Sequence, residues 1–203
     1  MPSVYERVLG DRFEQLDPRL RAYLGSPGSG AVGRGEGVYE VAGSRHRWLW
    51  PGLAWLAWRR VLFPEYGHGI PFTVVNTHGV DTLSARREFA FPRRTRVMED
   101  RMSVVDGALH DRLGRRGGLE VEFALEVVDG GLQMRSRRQW LHLGLVRFRM
   151  PGLVRVALAE TAVNGAQRVD VRMTAPLLGE VFRYAGSFSY VVSSPDPPTA
   201  PRP

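Results

Sequence analysis

Glu65-Tyr66-Gly67-His68 sets a carboxyl, a phenol and an imidazole within four residues, with a glycine on each side of the imidazole. These are usable general acid and base groups if the loop that carries them covers a pocket. Glu65, Tyr66 and His68 are therefore the candidate catalytic residues, weighed against the plainer reading of a solvated loop. Glu99-Asp100 is a second acidic pair. Adjacent side chains on a strand point to opposite faces, so only one of the two can enter a core. An inward Asp100 needs a partner such as Arg94 or Arg96. Glu99 is then expected outside, paired with an Arg on a neighbouring strand.

The five histidines, His46, His68, His78, His110 and His142, lack the short ligand spacings of a zinc site. A single inward histidine in an apolar pocket is the arrangement that holds a haem, and His142 and His78 are its candidates. Surface or hydrogen-bonded histidines are the simpler reading, so no metal and no cofactor is expected. There is no Cys, which excludes thiolate catalysis and disulfides. All 28 basic residues are Arg, which excludes every catalytic-lysine scheme and the Walker lysine. No Gly-x-Ser-x-Gly nucleophile elbow occurs.

The net charge of +7 suggests an anionic partner, but it is spread along the chain. Residues 1–60 hold 9 Arg and 6 acids, 61–118 hold 9 and 7, and 119–203 hold 10 and 8. A nucleic-acid footprint concentrates its charge, so solvated strand faces with cross-strand ion pairs are expected and no nucleic acid. Four of the five tryptophans, Trp48, Trp50, Trp55 and Trp58, fall within eleven residues flanked by Arg45, Arg47, Arg59 and Arg60. They suit a helix capping a β core, a lid over a lipophilic pocket, or an interfacial membrane contact. The apolar run from Trp48 to Trp58 is too short to span a bilayer, no secretory signal is visible, and a cytoplasmic location is expected.

The elements that must position these groups follow from periodicity. Leu9, Phe13, Leu16 and Leu20 recur at helical spacing, and Asp17-Pro18 reads as an N-cap followed by a first-turn proline. Two short helices meeting at Asp17 are expected. Gly33 to Ala42 reads as a strand whose alternate glycines suggest a bend or close backbone packing; Gly33-Arg34-Gly35-Glu36-Gly37 is no dinucleotide fingerprint, lacking the strand-to-helix setting. A Trp-rich helix is expected from Pro51 to about Val61, then a Pro/Gly loop from Leu62 to Pro71. From there short alternating runs predict strands at 72–78, 83–91, 94–105, 108–113, 118–128, 131–142, 145–149, 153–163, 167–175 and 182–192. Asp106-Gly107, Asp129-Gly130 and Asn164-Gly165 are hairpin turns. The fold class expected is α+β: a large antiparallel meander, strongly curved or closed into a barrel-like (lipocalin-like) sheet, with the N-terminal helices and the Trp-rich helix packed on or capping it. Residues 1–192 form one domain, and the proline-rich tail 193–203 is expected to be disordered.

Several segments resemble the uncharacterised domain-of-unknown-function family 4166. They are Ser3-Val-Tyr-Glu-Arg-Val-Leu-Gly10, Gly33-Arg-Gly-Glu-Gly37, Leu62-Phe-Pro-Glu-Tyr-Gly67, Pro71-Phe-Thr-Val-Val-Asn76, Phe91-Pro-Arg-Arg-Thr-Arg96 and Ala175-Pro-Leu-Leu-Gly-Glu-Val-Phe182. The resemblance runs to about Val192. It implies no activity and no catalytic residue. Some members are fused behind a dehydrogenase-like domain, which hints that the domain holds a substrate or product.

These readings converge on a binding module for a small hydrophobic, lipid- or polyketide-like ligand. Trp50, Trp55, Trp58, Phe89, Met98, Met134, Trp140, Tyr184 and Phe188 are its expected wall. A barrel that guides cyclisation or isomerisation of a bound substrate is the enzymatic alternative. Docking on an oxidoreductase partner through the Trp segment is the third, and a peripheral membrane contact stays open.

Overall fold

The computed structural model describes residues 1–193 apart from Ser29, Leu145 and Asn164. Most of the expected disordered tail, residues 194–203, lies outside the described residues, as does Asn164 of the third expected turn.

The strands are β1 (Val32–Gly43), β2 (Tyr66–Gly67), β3 (Ile70–His78), β4 (Thr82–Phe91), β5 (Arg94–Val105), β6 (Ala108–Leu113), β7 (Leu119–Val128), β8 (Gly131–Leu143), β9 (Val146–Met150), β10 (Arg155–Val163), β11 (Ala166–Ala175) and β12 (Gly179–Ser193). All pair antiparallel with their neighbours, in the order β10-β11-β12-β1-β3-β4-β5-β6-β7-β8-β9, with β2 beside β1. Leu132–Arg135 of β8 also pair with Ala157–Glu160 of β10. That seam closes ten strands into a barrel, which removes the edges that an open sheet would expose. The rest of β8 runs on to pair with β9 outside the seam.

The barrel's two ends are stoppered differently. One end is plugged by α1 (Val4–Leu9), a 3-10 stretch (Gly10–Gln15) and α2 (Pro18–Leu24). Ser3 and Glu6 cap α1 reciprocally, and Asp17 accepts from the Arg19 amide ahead of Pro18, as its sequence predicts. Leu9, Phe13, Leu16 and Leu20, the helical stripe, are all buried there with Leu109, Phe123, Leu132 and Met134. At about 1.5–3 kcal/mol for each fully buried side chain, this apolar stripe holds the plug in place. The other end is covered by α3 (Trp50–Trp58), whose Leu53 is buried against a second cluster that includes Phe63, Phe89, Phe91 and Phe182.

The alternate glycines of β1 have a concrete reason. Gly33, Gly35 and Gly37 pair with Val192, Tyr190 and Phe188 of β12. A Cβ at Gly33 would overlap the Tyr190 ring, and one at Gly35 would lie 2.6 Å from Val74 Cγ1. The missing side chains make room for the aromatic rings of β12 inside the barrel.

Candidate functional site

Four strands carry a charged residue where the alternation calls for an apolar one. On β4 Arg87 follows Leu83 and Ala85 and precedes Phe89; on β5 Asp100 sits between Met98 and Met102. On β6 Asp111 sits between Leu109 and Leu113, and on β10 Glu160 follows Val156 and Leu158. Period-2 geometry turns all four into the barrel. They form a polar belt between the two apolar clusters, which share only the partly buried Tyr23, Val156 and Leu158.

Arg87 and Asp100 make a buried ion pair. Among the described residues no donor reaches Asp100 Oδ2, Asp111 Oδ1 or Glu160 Oε2. Three buried carboxyl groups with an unmet acceptor each are costly, and such groups concentrate at functional sites. Burial pushes Asp111 well above the ordinary carboxylate range; the nearby Asp100 charge adds to this, and Arg87 opposes it. Asp100 is raised by burial too, with Arg87 pulling it back. Burial lifts Glu160 to about 7, against the pull of Arg87. Tyr184 is pushed up to about 12 by burial, and Tyr5, Tyr23 and Tyr39 are raised by the same cause, so these phenols are neutral donors.

Arg87 and Glu160 face a cavity of about 20 Å³, the room of roughly one water. Its wall is aromatic: Tyr39 stacks on Phe72 with centroids 3.7 Å apart, Tyr184 stands edge-on to Tyr39 at 5.2 Å, and Phe188 edge-on to Phe72 at 5.8 Å. The arrangement can hold a molecule with an apolar body and a hydrogen-bonding group, and can give or take a proton near neutral pH at Glu160.

A family model described as a domain of unknown function, DUF4166, matches residues 16–188. The chain belongs to the DUF4166 family. No curated protein matches the chain. The DUF4166 match takes in every residue of the belt and all of the barrel's strands but the end of β12; it leaves out α1.

Of the nine expected wall residues, Phe89, Met98, Met134, Tyr184 and Phe188 are buried in the barrel. Trp50, Trp55 and Trp58 are exposed on α3 instead. Trp140 lies outside because β8 carries an extra residue, Arg137: Glu122 pairs with Arg138 but Phe123 pairs with Ser136. One inserted residue reverses the parity of everything beyond it, turning Trp140 and His142 to the outer face.

On that outer face Glu120 is buried under His110 Nδ1 at 2.7 Å, His142 Nε2 at 2.5 Å and Arg147 at 2.6 Å. Trp140 stacks on His110, and Arg147 lies over the Trp140 ring at 3.9 Å. Burial alone would raise Glu120, but the two histidine hydrogen bonds with Arg147 and Arg112 carry it below the ordinary range. This cluster saturates its carboxylate, so it reads as the anchor of the β8–β9 extension. Among the described residues no group of His, Asp and Glu is arranged to hold a metal. His78, the other haem candidate, is buried at the end of β3, where burial lowers its pKa.

Glu65, Tyr66 and His68 do not converge on a cavity. Glu65 is held bidentate by Arg96 at 2.6 and 2.7 Å. The Tyr66 hydroxyl accepts from Arg45 Nε at 2.7 Å and meets His68 Nε2 at 3.1 Å on the exposed surface. Asp100 does turn inward, but its partner is Arg87, not Arg94 or Arg96, which both face Glu65. Glu99 pairs outside with Arg60 and Arg86 as expected.

Proposed function

We propose that the protein binds a small, largely hydrophobic molecule inside its barrel and holds a carbonyl or hydroxyl group of that molecule at the polar belt. The observation that carries this reading is the set of unmet oxygens on Asp100, Asp111 and Glu160 in a barrel otherwise lined by aromatic and aliphatic side chains. A neutral carboxyl both donates and accepts, so the belt suits a neutral polar group better than an anion. The cavity as it stands holds about one water, so a ligand has to displace side chains. Met98, Met102, Met134 and Met173 line the interior and are the adaptable ones.

The test is organic extraction of the denatured protein after purification from its native source, followed by mass spectrometry. A stoichiometric lipophilic compound with an oxygen function is expected, with a lower yield from Glu160→Gln. Recovery of nothing, together with no saturable binding of lipophilic ketones and alcohols, would refute the reading.

A second reading rests on Glu160 titrating near neutrality, where a general acid or base works best. The belt would then isomerise or cyclise the bound molecule by proton transfer at Glu160. Incubating the recovered compound with wild type and with Glu160→Gln separates the two: conversion by the first alone supports turnover.

A further inference from the structure

α3 is apolar all round, with no charged residue between Trp50 and Trp58. Only one side of it is used by the fold: Leu53 is buried, and Leu49, Leu56 and Ala57 pack on the core beside it. Trp48, in the turn just before α3, and Trp50, Trp55 and Trp58 on it are exposed by 60%, 54%, 52% and 74%. An exposed cluster of four indoles is an unmet apolar surface, and such surfaces mark contacts with something else.

Its rim is cationic. Arg59 lies over the Trp55 ring at 5.2 Å, and its carbonyl accepts from the Arg115 amide at 3.0 Å, which ties the 114–118 loop to the end of α3. Trp58, Arg59, Arg115 and Arg116 line a cleft of about 280 Å³. A groove of about 630 Å³ continues past Arg115 and Arg116 to Arg101 and Arg112. Its two carboxylates, Glu99 and Asp100, are already paired with arginines. Among the described residues no carboxylate pairs with Arg47, Arg59, Arg115 or Arg116.

We propose that this end of the barrel docks on an anionic phospholipid surface. The indoles enter the headgroup boundary, and Arg47, Arg59, Arg115 and Arg116 meet the phosphates. No described helix is long and apolar enough to cross a membrane, so α3 lies in the interface plane. Charge complementarity favours this occupant: an apolar protein partner has no need of four unpaired guanidinium groups around the patch, whereas an anionic bilayer uses both halves. The inference stands whether or not the interior holds a ligand.

The experiment is flotation of the full chain with phosphatidylcholine vesicles, with and without phosphatidylserine, while tryptophan emission is followed. Binding to the phosphatidylserine vesicles with a blue shift, weakened by salt, is expected. Arg115→Glu with Arg116→Glu should weaken it on the order of thirtyfold or more. Trp55→Ala with Trp58→Ala should abolish the blue shift. All four positions lie on the surface, so an unchanged melting temperature verifies that each variant is folded. No flotation with either vesicle overturns the proposal, and so does binding that neither pair of substitutions alters. A concentration-dependent dimer abolished by the tryptophan substitutions would assign the patch to a second copy of the chain and overturn it too.

Discussion

At the scale of single residues, the decisive feature is a few charges on apolar strand faces. Asp100 was recognisable as half of an acidic pair of which strand geometry lets only one member enter the core. Its partner was not recognisable, because Arg87 is one of two adjacent arginines on β4 and parity alone distinguishes them: Arg86 pairs outside with Glu88 and Glu99. Replacing Arg87 by Met leaves Asp100 buried and unpaired, which should cost about 3–5 kcal/mol in denaturant unfolding. Adding Asp100→Leu should recover most of that loss, since an apolar pair of similar size often substitutes for a buried ion pair.

Glu160 gives the residue scale its pH dependence. Its pKa rises from 4.5 in the unfolded chain to about 7 in the fold. Between those values the folded state binds more protons, so stability falls as pH rises and levels off above 7. The full loss is about 3 kcal/mol. Glu160→Gln should remove that slope and be the more stable protein at pH 8, with little difference at pH 4.5, as urea titrations at the two values would show. Glu120 and Asp170 act in the opposite sense. Despite burial, hydrogen bonds from His110 and His142 to the one, and from Arg172 and Arg183 to the other, lower their pKa. Their contribution is present at neutral pH and is lost as pH falls through the carboxylate range.

Elements were more legible than the site. The Asp17-Pro18 junction and the alternating strands appear where spacing puts them, and the stripe from Leu9 to Leu20 is buried as its spacing requires, although the first expected helix breaks at Gly10 into α1 and a 3-10 stretch. Legibility fails where one residue changes the geometry without changing composition. Arg137 is such a residue: it follows Ser136 in a polar run, and nothing in the run marks it as the bulge that sends Trp140 outward. α3 was ambiguous for a different reason. A helix apolar on every side announces burial but does not say which side the fold uses. Substitutions should separate the two kinds of helix. Leu20→Ala in the plug should cost about 2–5 kcal/mol. Asp17→Ala should cost about 1 kcal/mol through its lost cap. Trp58→Ala should stay within about 0.5 kcal/mol, because its indole contributes little to the fold. Denaturant midpoints should rank the three in that order.

For the whole molecule, the consequence lies in how the barrel closes. The β8–β10 seam holds four residue pairs, Ala157 with Arg135, Leu158 with Met134, Ala159 with Gln133 and Glu160 with Leu132. The ladder between β1 and β12 is far longer, running the whole of β1 from Val32 with Ser193 to Gly43 with Arg183, with one register shift between Tyr39 and Val41. A short ladder has few bonds to break, and so the seam is where local opening should cost least. Glu160 stands in that seam, with its carboxyl in the interior. Once ionised, it gains most from water, and water reaches it when β8 and β10 part. The seam should therefore loosen as pH rises through about 7. Hydrogen exchange read by mass spectrometry is the measurement. Peptides covering 132–135 and 157–160 should lose protection between pH 6 and 8 beyond the intrinsic rise in exchange rate, whereas β1 and β12 should not. Glu160→Gln should remove the excess from both seam peptides. If the variant exchanges as wild type does, the carboxyl does not govern opening, and entry to the belt has to be sought at the helical plug.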